Sequence, residues 1–313
     1  MDRVSDMIHL KWAHSQNILG QDIGVAVLDT GIVPHPDFTG TRNRIVAFQD
    51  FVNGNNKMYD DNGHGTHVSG ILGGDGSASR GKYCGIAPAC NIISVKVLNH
   101  KGNGDISNVI AGLHWVIENK ERYHIRVVNI SVGTTTKSVI SEDSELVKAV
   151  NMVWDNDMVV VAAAGNGGPN PQSIGAPGIS RKVITVGASD DDIAVDLMGK
   201  NMKDYSGRGP TGACIKKPDV VAPGSRIVSC NAMKRQSNLF GFPRNSMNYY
   251  TEKSGTSMST PIVSGAVALL LCQFPQYSTR DVKLKLKETS DDLGKPHGKQ
   301  GWGRINIAKL LQS

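Results

Sequence analysis

Two kinds of hydrophobic run alternate along the chain. The first is short, nearly unbroken and rich in Val and Ile: residues 23–28 (IGVAVL), 91–98 (NIISVKVL), 126–132 (RVVNISV) and 158–163 (MVVVAA), with weaker versions at 44–51 and 183–186. Runs that are apolar at nearly every position, not every second one, predict parallel strands buried on both faces. The second kind is longer and spaced for helices, at 64–73, 106–120, 142–155, 278–289 and 305–311, with Ser278 in an N-cap position. Residues 1–20 predict a short helical lead-in anchored by Trp12, Ile18 and Leu19. Strands alternating with helices predict an α/β fold, a doubly wound and mainly parallel sheet flanked by helices. With no repeat or linker in view, the expected organisation is a lead-in helix over 1–22 and one domain over 23–313.

The most apolar stretch is SGTSMSTPIVSGAVALLLCQF, residues 254–274. It predicts a helix buried on most faces, with Pro261 accommodated in the first turn and too little length to span a bilayer. Ser257 falls at its start, where backbone N–H groups lack partners and the dipole favours negative charge. That position suits an alkoxide or oxyanion. It equally suits a serine that merely caps a core helix.

Composition adjusts the picture only at the edges. A chain of 313 residues can bury a sizeable core, and 35 Gly imply many tight turns and close backbone approaches. The net charge of +6 is dispersed, and no Lys/Arg cluster alternates with aromatics, so no nucleic-acid partner is expected. Asp2, Arg3, Asp6, His9 and Lys11 stand where a signal peptide needs an apolar centre. No membrane partner is expected, and the expected location is cytoplasmic, or secreted if a leader was removed. Five cysteines (Cys84, Cys90, Cys214, Cys230, Cys272) are odd in number and have no CxxC spacing, which favours free thiols in a reducing compartment.

Three motifs carry candidate chemistry. Asp29-Thr30-Gly31 closes the first predicted strand, at the carboxyl end where open α/β sheets place their sites. The same tripeptide occurs in aspartic proteases, but those need two carboxylates sharing a proton, and there is no second DTG. His64 and His67 have a workable metal-ligand spacing, yet lack the Glu of HExxH and an obvious third ligand; alone, His64 would read as a solvated loop histidine. Ser257 is the third. Nucleophilic hydrolysis needs a serine, a histidine to take its proton and a carboxylate to orient the imidazole, and Ser257, His64 and Asp29 supply all three.

Their chain order, Asp29, His64, Ser257, is that of subtilisin. The motifs DTG, HGTHVSG and SGTSMSTP, with AAAGN at residues 162–166, resemble the subtilisin-type serine peptidases, the subtilases, over residues 23–311. The closest resemblance is to their intracellular bacterial branch. It implies a serine endopeptidase in which Ser257 is the nucleophile, His64 the general base and Asp29 its orienting carboxylate. Asn166 would be the oxyanion-hole amide. Gly102, Asn103, Gly104 and Ser131, Val132, Gly133 would flank an extended substrate, with Gly175 in the wall of the primary pocket; ordinary turns are the alternative for these. The uncharged wall residues imply cleavage after large apolar residues.

The resemblance implies peptide or protein substrates and no cofactor for the chemistry. Asp37 in HPDF matches a calcium-binding carboxylate of secreted relatives, but residues 73–85 do not resemble the partner loop, so structural calcium stays possible but unassigned. Ile262 stands where relatives carry His, with no catalytic consequence expected. About twenty residues precede the first strand, too few for an inhibitory pro-segment. That implies either maturation or restraint by another device such as a protein inhibitor. A catalytically idle subtilase fold that binds peptides is the rival reading from another class.

Overall fold

A computed structural model describes residues 1–40, 42–133, 141–197, 199–232 and 248–312. In chain order come α1 (Asp2–Met7), α2 (Leu10–Ser15), β1 (Gly24–Asp29), α3 (Pro36–Thr39), β2 (Ile45–Asp50), α4 (His64–Gly73) and β3 (Asn91–Lys96). Then follow α5 (Ile106–Glu118), β4 (Ile125–Ile130), α6 (Glu145–Asp155), β5 (Val159–Ala163), β6 (Ile184–Ala188), β7 (Val195–Leu197) and β8 (Lys200–Met202). The last elements are β9 (Val220–Ala222), β10 (Ile227–Cys230), β11 (Tyr250–Lys253), α7 (Thr256–Gln273), α8 (Thr279–Thr289), α9 (His297–Gln300) and α10 (Ile307–Leu311).

Seven strands form one parallel sheet in the order β2-β3-β1-β4-β5-β6-β9. The expected α/β architecture is the observed one. All six residues of β1 and all five of β5 are buried, as their unbroken apolar runs required. The order reverses at β1: the chain leaves it for β2 and β3 on one side, then crosses to β4 on the other. Such a switch opens a crevice at the carboxyl end of the strand, and Asp29 is the last residue of β1.

Helices α4 and α7 pack on each other and on the sheet, while α5 and α6 pair in a second layer. Fifteen residues of α7 are buried, including Ile262. The helix begins at Thr256, so Pro261 falls in its second turn, not its first; its missing N–H leaves the Ser257 carbonyl without the usual helical donor. At 18 residues α7 is long and apolar enough to cross a membrane by length and composition, contrary to the sequence reading. With 83% of it buried inside the protein, it is a core helix.

The amino-terminal segment holds two short helices instead of one. Val4, Ile8, Leu10 and Ala13 anchor it in the main core, whereas Trp12 and Ile18 are only partly buried. Ser278 caps α8 through a reciprocal bond with Asp281, as its position predicted.

Candidate active site

Asp29 is 1% exposed at the end of β1, and His64 opens α4 with 23% of its side chain exposed. His64 Nδ1 lies 2.7 Å from Asp29 Oδ1. A carboxylate can only accept, so Nδ1 carries the proton and the Nε2 lone pair faces away. The Thr30 N–H donates to the same carboxylate oxygen at 2.7 Å. Burial pulls the His64 pKa down, but the Asp29 carboxylate overrides it and the net shift is upward. Lys253, half-buried in β11, opposes that rise.

The pair is held by a network that the sequence reading left unused. Asp60 accepts from the Thr30 hydroxyl (2.8 Å), the Gly63 N–H (2.7 Å), and the Thr66 N–H and hydroxyl (2.8 and 2.7 Å). The Thr30 hydroxyl in turn accepts from the Gly65 N–H at 2.9 Å. One buried carboxylate thereby ties the loop after Asp29 to the first turn bearing His64. These donors keep the Asp60 pKa low against the desolvation that would raise it. Gly65 is demanded by the same closeness, since a Cβ there would sit 2.2 Å from Gly31 O. A carboxylate four residues before an HG helix start was the available signal.

Ser257 is half-buried on the first turn of α7. Gly255 is the N-cap residue, so Ser257 does not cap the helix. Its backbone N–H makes no hydrogen bond among the described residues. Asn166, exposed just beyond β5, turns its carbonyl Oδ1 to the Thr256 N–H (3.0 Å) and hydroxyl (3.1 Å). Because the Thr256 N–H donates, the accepting atom is Oδ1, and Asn166 Nδ2 is a donor with no hydrogen bond among the described residues. Thr256 was not singled out from sequence, although it stands beside Ser257 in the motif. No hydrogen bond joins His64 to Ser257 among the described residues; such contacts are often long without substrate and tighten when it binds.

The candidate substrate-flanking residues fall in two places. Gly102, Asn103 and Gly104 are exposed in a turn whose His100 carbonyl accepts from Asn62, two residues before His64, at 3.0 Å. Gly104 is required by packing, a Cβ there meeting Val97 O at 2.5 Å. Ser131 is buried, Val132 half-buried and Gly133 exposed beyond β4, while Gly175 is buried and donates its N–H to Ala164 O at 3.1 Å. A cavity of about 410 Å³ lined by Ile23, His124 and Arg126 opens at the amino-terminal end of β1 and β4, away from Asp29.

Two alternative readings lose their geometry. His67 is fully buried and turns Nε2 to Ile227 O and Thr251 O, both at 3.1 Å, so it forms no metal pair with His64. Asp29 bonds an imidazole and a backbone N–H, not a second carboxylate. Nor does Asp37 fit calcium. Its oxygens accept from the Tyr250 hydroxyl and the Ala78 N–H, with His35 and Cys230 beside it, where calcium needs six to eight oxygen ligands.

A parallel α/β sheet carrying Asp, His and a helix-start Ser at its carboxyl edge has the layout of a serine hydrolase. The chain belongs to the subtilase family, whose pattern residues 20–303 match. It is 40% identical over 297 residues to the serine protease AprX of Bacillus subtilis (strain 168), covering 93% of this chain and 66% of that protein. Subtilisin DY of Bacillus licheniformis is 32% identical over 301 residues, 95% of this chain and 94% of the relative. The solved structure of Sphericase superposes with a TM-score of 0.72 at 27% identity, covering 92% of each chain. The chain thus spans just under two thirds of AprX and nearly all of subtilisin DY. Its enzyme class is that of the subtilisin-type serine endopeptidases.

Proposed function

We propose that this chain hydrolyses peptide bonds through Asp29, His64 and Ser257 with an acyl-enzyme intermediate. The observation that carries the reading is the 2.7 Å bond from His64 Nδ1 to the buried Asp29, which leaves Nε2 free for a serine proton. Ser257 Oγ attacks the scissile carbonyl as His64 Nε2 takes its proton. The carbonyl oxygen becomes an oxyanion, and the Ser257 N–H and Asn166 Nδ2 donate to it. His64 then protonates the departing amine, leaving Ser257 acylated. Water, deprotonated by His64, releases the acid and restores the serine.

This chemistry needs no cofactor. The substrate backbone would add as an extended strand between residues 102–104 and 131–133. No charge lines the walls formed by Ser131, Val132, Gly133, Gly167 and Gly175, which favours a large apolar residue at the cleaved position with broad tolerance. A pro-segment or protein inhibitor would occupy the same groove. All five cysteines are unpaired, in keeping with a cytoplasmic location.

A chromogenic ester of an apolar amino acid tests the mechanism. A stoichiometric burst of leaving group, absent in Ser257→Ala, is expected, together with a peptide-library profile led by large apolar residues. Hydrolysis without dependence on Ser257 would refute the acyl-enzyme, and a profile led by Arg or Lys would refute the pocket assignment.

A further inference from the structure

Behind the site, α3 and the β10–β11 hairpin bring together three side chains with metal-ligand chemistry. His35, Asp37 and Cys230 are each 0% exposed, and their ligand atoms all lie within 4.8 Å of one another. We infer that they form a binding site for a borderline-soft divalent cation of the zinc class, not for calcium.

The donor set and its geometry both argue for this. Tetrahedral zinc bonds of about 2.0–2.3 Å place neighbouring ligand atoms about 3.4–3.6 Å apart. Cys230 Sγ lies 3.5 Å from Asp37 Oδ2, and His35 Nδ1 lies 3.7 Å from Asp37 Oδ1. The sulfur and the nitrogen thus each stand about one ligand–ligand edge from the Asp37 carboxylate, on different oxygens of it. One ligand atom from each residue falls within 4.8 Å of the others, so a small carboxylate rotation brings one oxygen to both. A nitrogen, a sulfur and a carboxylate oxygen suit zinc and its neighbours, whereas calcium takes oxygen alone.

The surrounding bonds orient the ligands. His35 Nδ1 accepts the Asp37 N–H at 3.1 Å, so it carries the lone pair, and Nε2–H donates to Tyr249 O at 2.8 Å. A ligating imidazole typically has its second nitrogen anchored in this way. Cys230 and Tyr250 are paired across the hairpin, and the Tyr250 hydroxyl lies 2.9 Å from both Asp37 oxygens. That hydroxyl oxygen is placed to serve as a fourth ligand. Binding releases the Cys230 thiol proton to solvent, after which one thiolate and one carboxylate neutralise the dication. The cost is the bond from the Asp37 N–H to His35 and that from the Cys230 thiol to Asp37, two weak bonds against three to the metal. The bound ion would staple α3 to the hairpin that leads into Ser257.

Cobalt(II) added to the full chain carrying Ser257→Ala tests the site independently of catalysis. About one equivalent should bind, giving a sulfur-to-cobalt charge-transfer band and the visible bands of tetrahedral cobalt, both displaced by zinc. Cys230→Ser should abolish the charge-transfer band and weaken binding by at least about 100-fold, with His35→Gln weakening it similarly. The band should survive Cys84→Ser, Cys90→Ser, Cys214→Ser, Cys272→Ser and His64→Ala. Saturating cobalt without a thiolate band in the parent protein would overturn the inference with no need of a folded variant. So would a band retained in Cys230→Ser; the cluster would then be a hydrogen-bonded thiol and no more.

Discussion

Replacing His67 by Gln isolates an acid sensitivity built in beside the active site. His67 lies one turn after His64 and holds α4 to the hairpin through Ile227 O and Thr251 O. Burial pushes its pKa down from 6.5 to about 3, with the charges of Lys253 and His64 adding to the fall. Between those values the unfolded chain binds a proton that the folded protein refuses, so stability falls as pH drops below about 6.5. At about 1.36 kcal/mol per pKa unit, going from pH 7.5 to pH 4 should remove about 3 kcal/mol through this residue alone. His64, with its raised pKa, contributes in the opposite sense, but parent and variant share it and it cancels. Urea unfolding at both pH values, in a Ser257→Ala background to prevent self-digestion, measures the difference. The parent should lose about 3 kcal/mol more than His67→Gln, although the variant starts about 1–3 kcal/mol lower at pH 7.5 for its weakened hydrogen bonding. Equal losses in the two proteins would show that His67 is not the buried neutral group described.

Three further perturbations address the chemistry. Asn166→Ala should lower kcat by about 10²–10³ with KM changed less than about threefold; that figure is carried over from subtilisin itself, not worked from this structure. A lower unfolding midpoint with unchanged kcat per folded molecule would instead make Asn166 a turn former. Because His64 is raised above its ordinary range, activity should climb along a limb above about pH 6.5 and stay high into the alkaline range. Asp29→Asn should cut kcat by about 10⁴, the size of this exchange in a serine protease of another fold. An optimum below about pH 5 would point to paired carboxylates instead.

The long buried strands were readable because burial on both faces leaves only apolar residues in them, as in β1 and β5. Strands β7 to β11 were not, since three or four residues carry no period and their place is set by partners distant in sequence. The same holds within the site. Asp29, His64 and Ser257 are legible because each stands in a local motif at a strand or helix boundary. The tie from Asp60 to Thr30 and that from Asn166 to Thr256 are hydrogen bonds spanning 30 and 90 residues, and no local pattern encodes those partners. His67 read as half of a metal pair because spacing along a helix does not reveal which neighbour packs against each face. His35 and Asp37 meet Cys230 only because the hairpin folds back across α3.

Labelling by a serine-directed fluorophosphonate tests the central assignment most directly. The probe forms its adduct only with a serine whose proton a neighbouring base removes. Mass spectrometry of the labelled protein should place a single adduct on Ser257, formed more slowly as the pH falls and His64 becomes protonated. Ser257→Ala should abolish labelling and peptide hydrolysis together while the fold is retained. Labelling or hydrolysis that persists in Ser257→Ala would contradict the assignment.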